Sequence, residues 1–175
     1  AVVGIMMVYK RSPKFAHFLA RAARHGIHAD RLELAGYGSH ADALAAYAEV
    51  DAALDPFPFS GCATSCDALA CGVPVVTLEG AWPAGRQTAS LLVAAGHPEW
   101  IAHDRAAYVR IATALAAGAT SRAELATRAR AAFGDVHRHA RALSAALRAM
   151  HGAVERGETR DRGVTEPLRI DVGTA

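Results

Sequence analysis

No stretch of these 175 residues approaches the roughly 20 consecutive apolar residues that a membrane-spanning helix needs, so a soluble protein is expected. Nothing in these residues resembles a secretory leader either. The apolar opening Ala1–Tyr9 has no basic residues before it and no small-residue cleavage site after it. That opening reads as an interior strand, as expected of a chain cut from something longer or of a partial gene model. Charge of one sign is scarce: 19 basic and 17 acidic residues leave a net +2, too little to argue for nucleic acid. The arginines crowding the last third are read as solvated helix faces. Cysteine is limited to Cys62, Cys66 and Cys71, an odd number within ten residues. Their spacing matches no zinc pattern and no second cluster of Cys and His completes one, so no metal site is assigned. Reduced thiols used as small hydrophobes in a cytoplasmic protein are the expectation. The nucleophile elbow Gly-x-Ser-x-Gly, the P-loop and paired carboxylates are all absent. None of the nine histidines, His97, His103, His137, His139 and His151 included, has a carboxylate or nucleophile at a telling spacing. No catalytic residue is assigned.

What the chain does have is alternation. Val2–Tyr9 reads as a strand. Ser12 then caps a helix with Pro13 in its first turn, striped by Phe15, Phe18, Leu19 and Ala22 and ended by Gly26. Leu32–Ala35 reads as a strand and His40–Glu49 as a short helix with Leu44 and Tyr47 on one face. Ala52–Leu54 is a strand, Thr64–Ala70 a helix closed by Gly72 and Pro74, and Val75–Leu78 a β-branched, buried strand. In that helix Cys66 faces the interior and Cys71 stands at the end. Helical spacing returns over Gly85–Ala95, Arg105–Ala117, Ser121–Phe133 and Val136–Val154, with Trp100–Ala102 as a short edge strand. Strands alternating with helices through short Gly-containing turns imply an α/β fold. A Rossmann-like parallel sheet with right-handed crossovers and flanking helices is expected. We expect one domain over residues 1–156 and a loosely ordered tail over 157–175. The preference for Ala and for Arg over Lys suggests a GC-rich bacterial genome.

Such a sheet binds its ligand at the carboxyl ends of its strands, where three loops emerge: Gly36–His40, Asp55–Ala63 and Gly80–Arg86. The middle loop is the most informative. Pro56 and Pro58 break regular structure, and Gly61 permits close approach of backbone to a ligand. Residues Gly61, Cys62, Ala63 and Thr64 then lead into a helix whose first N–H groups point outward. They form either an anion site, with the Thr64 hydroxyl assisting, or a tight capping loop that binds nothing.

Asp51–Leu78 reads DAALDPFPFSGCATSCDALACGVPVVTL and resembles the O-GlcNAc transferase/SPINDLY-type glycosyltransferases, whose pattern is DxALDPFPxxGxxTxxxALxxGVPVVTL. The resemblance continues in order through RLELAGYGSH (Arg31–His40), AGRQTASLL (Ala84–Leu92), PEWIAH (Pro98–His103) and the helical tail. It implies the C-terminal, UDP-binding lobe of a two-lobed enzyme. Such enzymes transfer a sugar, typically N-acetylglucosamine from its UDP conjugate, to protein Ser or Thr without a further cofactor. By the same resemblance, Gly61–Thr64 would receive the diphosphate and Asp67 the ribose hydroxyls. Main-chain groups at Gly38 would read the uracil. His40 stands at a basic position of the nucleotide site or is an ordinary exposed loop residue. Arg86 is either a cation for the diphosphate or a stabiliser of its helix start.

The sequence departs from the family at several places. Ala43 replaces a usual histidine, and Ser60-Gly61-Cys62-Ala63-Thr64 replaces Asn-Gly-His/Thr-Thr-Thr, which removes one hydroxyl at Ala63. Ala70-Cys71-Gly72 replaces Trp-x-Gly. The family's first lobe, its tetratricopeptide repeats and its phosphate-binding lysine are expected outside these residues; Lys10 and Lys14 are too early, or wrongly placed, to be assigned that lysine's role. Since positioning catalysis needs both walls of a cleft, the fragment alone is expected to be inactive. Two rivals stand beside this reading: another nucleotide-sugar transferase of the same fold, and a degenerate non-catalytic module that packs on a partner.

Overall fold

Strands β1 (Val3–Gly4), β2 (Ala52–Leu54), β3 (Val75–Leu78) and β4 (Ile101–Ala102) lie side by side in that order, every pair parallel. The computed structural model describes residues 3–4, 13–32, 38–118 and 120–157. The strand expected over Val2–Tyr9 is described at Val3–Gly4 alone. Ser12, the strand expected at Leu32–Ala35 beyond Leu32, Gly36 and the tail from 158 lie outside the described residues.

The register sets Ala53 opposite Val75 and Thr77 opposite Ile101. β3 is central, and Val75, Val76 and Thr77 are all buried, as a parallel strand covered on both faces requires. The core gathers around it from Leu69, Val73, Leu92, Trp100, Leu115, Leu125 and Ala129. Those residues come from flanking helices and turns. The helices are α1 (Pro13–Arg24), α2 (His40–Ala46), α3 (Ala63–Ala70), α4 (Gln87–Ala94), α5 (Arg105–Ala117), α6 (Arg122–Phe133) and α7 (Val136–Glu155). No helix among the described residues is long and apolar enough to cross a membrane.

Element boundaries follow local chemistry. Gly26, Gly72 and Gly96 each take the left-handed conformation that ends a helix. The helix expected over Gly85–Ala95 starts at Gln87, because Pro83–Gly85 forms a separate 3-10 turn whose Gly85 carbonyl accepts from Gly80 N–H at 3.0 Å. Trp100 likewise belongs to a 3-10 turn before β4 rather than to the strand. Over His40–Glu49 the α-helix ends at Ala46 and tightens into a 3-10 turn at Tyr47–Glu49.

Among the described residues four helix starts carry side-chain caps: Ser39, Asp104, Ser121 and Asp135 each accept from the backbone N–H three residues on. Ser121 thus stands outside α6 as its cap rather than inside it. Removing that acceptor in Ser121→Ala should cost about 1 kcal/mol, measured as a shift of the urea midpoint at unchanged slope.

Candidate functional site at the carboxyl ends of the strands

Beyond its last residue β2 runs into Asp55, which is only 3% exposed yet ionisable. Its carboxylate is the hub of the loop that follows. Oδ1 accepts from Gly61 N–H at 2.7 Å, and Oδ2 accepts from the Thr77 hydroxyl of β3 at 2.6 Å. Thr88 of α4 donates to the Gly61 carbonyl at 2.8 Å. The Ser65 hydroxyl is shared between Thr88 at 2.8 Å and Asp55 Oδ1 at 3.3 Å. Among the described residues no cation takes part in this set. Burial accordingly pushes the Asp55 carboxyl above its ordinary range, against the downward pull of its hydrogen bonds to Thr77 and Gly61.

A second set of bonds clamps this loop to the next one. Buried Ser60 donates from both its N–H and its hydroxyl to the Ala84 carbonyl, at 3.0 and 2.9 Å, and its hydroxyl oxygen accepts from Gln87 N–H at 3.2 Å. Gly85 approaches Pro58 so closely that a Cβ would stand 2.7 Å from the Pro58 carbonyl oxygen. On the outer side Tyr108 of α5 donates to the Asp55 carbonyl at 2.8 Å and meets the Phe57 ring edge-on at 5.5 Å. Burial first, then the nearby Asp55, push the Tyr108 phenol up, so it stays a donor. The Phe57–Pro58 peptide bond is cis.

Held this way, Gly61 and Cys62 deliver the chain into α3. Cys62 occupies the cap position with φ −128° and ψ −78°, and its side chain makes no capping hydrogen bond. The start of α4 at Arg86 is also uncapped, so the two uncapped starts flank the same pair of clamped loops. Gly61 has no room for a side chain: a Cβ would fall 2.7 Å from Ser65 Oγ and 2.8 Å from Thr64 Oγ1. Thr64 is half-buried, and its carbonyl accepts from the Tyr47 hydroxyl at 3.0 Å. Asp67, one turn on, is half-buried near the same phenol, which burial pushes up first and the Asp67 charge second. Gly61, Cys62, Ala63, Thr64 and Asp67 therefore share one helix start and its first turns.

The other expected residues sit around that start. Gly38 and His40 are exposed at the start of α2, within a capping box in which the Ser39 hydroxyl accepts from Asp42 N–H while Asp42 Oδ2 accepts from Ser39 N–H. A Cβ at Gly38 would lie 2.9 Å from that Asp42 oxygen. Tyr47, at the far end of α2, is the tie to α3. Arg86 reaches Glu79 at 2.5 Å, and the other oxygen of Glu79 faces His103 Nδ1 at 3.1 Å. The guanidinium is thus engaged by a carboxylate at the end of β3, beside the first turn of α4.

Asp55, Ser60, Ser65, Thr77 and Thr88 are absent from the sequence-derived set, although they shape the loop. A signal for them exists. Hydroxyls inside apolar elements, as in VVTL and QTASLLVA, need buried partners, and the carboxylate closing an apolar strand is a natural one. Among the described residues no group of three or more His, Cys, Asp or Glu side chains is placed to hold a metal ion.

The model of Glycosyl transferase family 41 matches residues 7–140. The chain is 37% identical over 112 residues to a rice protein described as a probable UDP-N-acetylglucosamine–peptide N-acetylglucosaminyltransferase SPINDLY; the match covers 64% of this chain and 12% of that protein. A petunia protein of the same description is 38% identical over 84 residues, 48% of this chain and 9% of its own length. Among solved structures, a mutant of the Thermobaculum terrenum O-GlcNAc transferase superposes with a TM-score of 0.61 at 43% identity, covering 69% of this chain and 23% of that one. The chain therefore spans about an eighth of the rice relative's length.

Proposed function

The chain belongs to glycosyl transferase family 41, and from that premise we propose that it is the donor-binding lobe of a larger protein glycosyltransferase. The donor is a UDP-sugar, UDP-N-acetylglucosamine by the family resemblance, and the acceptor is a Ser or Thr hydroxyl of a protein. The first lobe supplies the opposite wall of the cleft, and tetratricopeptide repeats ahead of it engage the acceptor. Composition suits a bacterial, cytoplasmic enzyme.

One observation carries this reading: a buried carboxylate and four hydroxyl side chains are spent on shaping one short loop whose helix start is left without a side-chain cap. Backbone N–H groups at such a start, backed by the helix dipole, favour an anion. The diphosphate would lie against Gly61, Cys62, Ala63 and Thr64, with the Thr64 hydroxyl donating to it. Asp67 would accept from the ribose hydroxyls and main-chain groups at Gly38 would read the base, with His40 beside it. Arg86 would exchange Glu79 for the diphosphate. As the glycosidic bond breaks, negative charge grows on the departing UDP, and donors already aimed at it lower the barrier without a metal or other cofactor. The catalytic base is assigned to no residue of this chain.

The test is calorimetry of UDP binding in the full-length protein. Thr64→Ala and Asp67→Ala should each weaken UDP about tenfold or more, since a hydrogen bond to a charged group is worth roughly 1.5–3 kcal/mol. Unchanged affinity in both variants would remove the site from this helix start. No UDP binding by the full-length wild type would favour the non-catalytic rival.

A further inference from the structure

We propose that Cys62 and Cys66 form an oxidisable dithiol, a modification site built into the start of α3. Both are free thiols in the structure. Cys62 is exposed at the cap position, and Cys66 lies one turn on, its N–H donating to the Cys62 carbonyl at 3.0 Å. Burial first, then the neighbouring Cys62, push the Cys66 thiol up. Cys71, at the other end of the helix, has its thiol directed to the Leu44 carbonyl and stands apart from the pair.

The roles follow from exposure. A peroxide reaches Cys62, whose sulfur attacks one peroxide oxygen; the O–O bond breaks, the departing hydroxide takes up the proton given up by the Cys62 thiol and leaves as water, and a sulfenic acid remains. The sulfur of Cys66 then attacks the Cys62 sulfur and displaces hydroxide, which takes up the Cys66 proton as a second water. Two thiols and one hydrogen peroxide give one disulfide and two waters.

Closing this bond has a structural consequence. Side chains one helical turn apart hold their Cβ atoms about 5–6 Å from each other, whereas a disulfide needs roughly 3.5–4.5 Å. The gap of about 1–2 Å must be taken up by the backbone. Cys62, already outside helical geometry, gives way first. Its neighbours are the N–H groups assigned above to the diphosphate, so oxidation would dismantle the anion site and reduction would restore it. This second half rests on the donor-binding reading; the modification itself does not.

The experiment treats the full-length protein with hydrogen peroxide, blocks remaining thiols with N-ethylmaleimide, and cleaves on the amino side of aspartate. Cleavage before Asp55 and Asp67 releases a peptide over residues 55–66 that contains Cys62 and Cys66 but not Cys71. The expected result is that peptide two hydrogens lighter, unalkylated, and restored by dithiothreitol. In Cys66→Ser the reaction should stop at a sulfenic acid on Cys62, trapped by dimedone. Full alkylation of Cys62 after peroxide, or a bond to Cys71, overturns the proposal. Calorimetry on the same samples reads the coupling: peroxide should weaken UDP at least tenfold in the wild type. An oxidised wild type that binds UDP as tightly as the reduced one overturns the switch. Failure of the reduced wild type to bind UDP instead counts against the donor-binding reading, while the mass of the peptide still decides the thiol pair.

Discussion

Asp55→Ala is expected to cost about 3–5 kcal/mol of stability and to abolish detectable UDP binding in the full-length protein. Three donors, the Gly61 N–H and the Thr77 and Ser65 hydroxyls, would lose their acceptor at a site where Asp55 is 3% exposed and Thr77 is fully buried. Each buried donor left unsatisfied costs roughly 1–3 kcal/mol, reduced where water enters the vacated space. Denaturant unfolding measures the first effect and calorimetry the second. A loss under 1 kcal/mol would mean that the loop keeps its shape without its hub.

The same variant tests the sign of a pH effect. Burial raises the Asp55 carboxyl above its ordinary range, so the folded protein holds that proton more tightly than the unfolded chain. Stability from this group is therefore fully present below the ordinary aspartate range and is lost as pH rises through the higher folded value. The advantage of wild type over Asp55→Ala should be greatest in acid and shrink as pH climbs. If it grows with pH instead, hydrogen bonding to the charged carboxylate outweighs its desolvation.

Gly72→Ala should destabilise by about 2–5 kcal/mol. Gly72 has φ +76°, and an L side chain in that conformation costs roughly 1–2 kcal/mol. A Cβ there would also lie 2.3 Å from the carbonyl oxygen of Arg122, the first residue of α6. Backbone cannot rotate aside as a side chain does, so α6 must shift, at a further cost of roughly 1–3 kcal/mol. That shift strains the Arg122 guanidinium, which donates to the Tyr47 and Val50 carbonyls at 2.6 and 2.9 Å. Gly26→Ala is the control: φ is +73°, but no atom of the described residues lies within 4 Å of the added carbon. It should show the conformational cost alone. Equal losses in the two variants would mean that α6 accommodates the contact freely.

Local chemistry made much of this fold legible. β2, α3 and β3 are delimited by prolines, Gly72 and a β-branched run, and helical spacing gives α5 its observed extent and α6 its end, while α6 starts one residue later than its spacing suggests. The break between the Pro83–Gly85 turn and α4 was not legible. It depends on Gly80 and Ser60 bonding to carbonyls of that turn, the second across 24 positions. Tyr47 read as part of an apolar stripe, yet its hydroxyl is what ties α2 to the Thr64 carbonyl 17 positions away.

By itself the sequence determined the family, the alternation of strands and helices, and the loop that turns into α3, because these are written in residue order within a few positions. Only the tertiary structure decided what holds that loop. Asp55 meets Thr77 across 22 positions and Gly61 meets Thr88 across 27, and neither pairing leaves a mark in local periodicity. It also decided that Arg86 faces Glu79, and that Glu79 faces His103 as well. A parallel sheet brings the carboxyl ends of separate strands to one edge, so partners far apart in sequence become neighbours only once the sheet has formed.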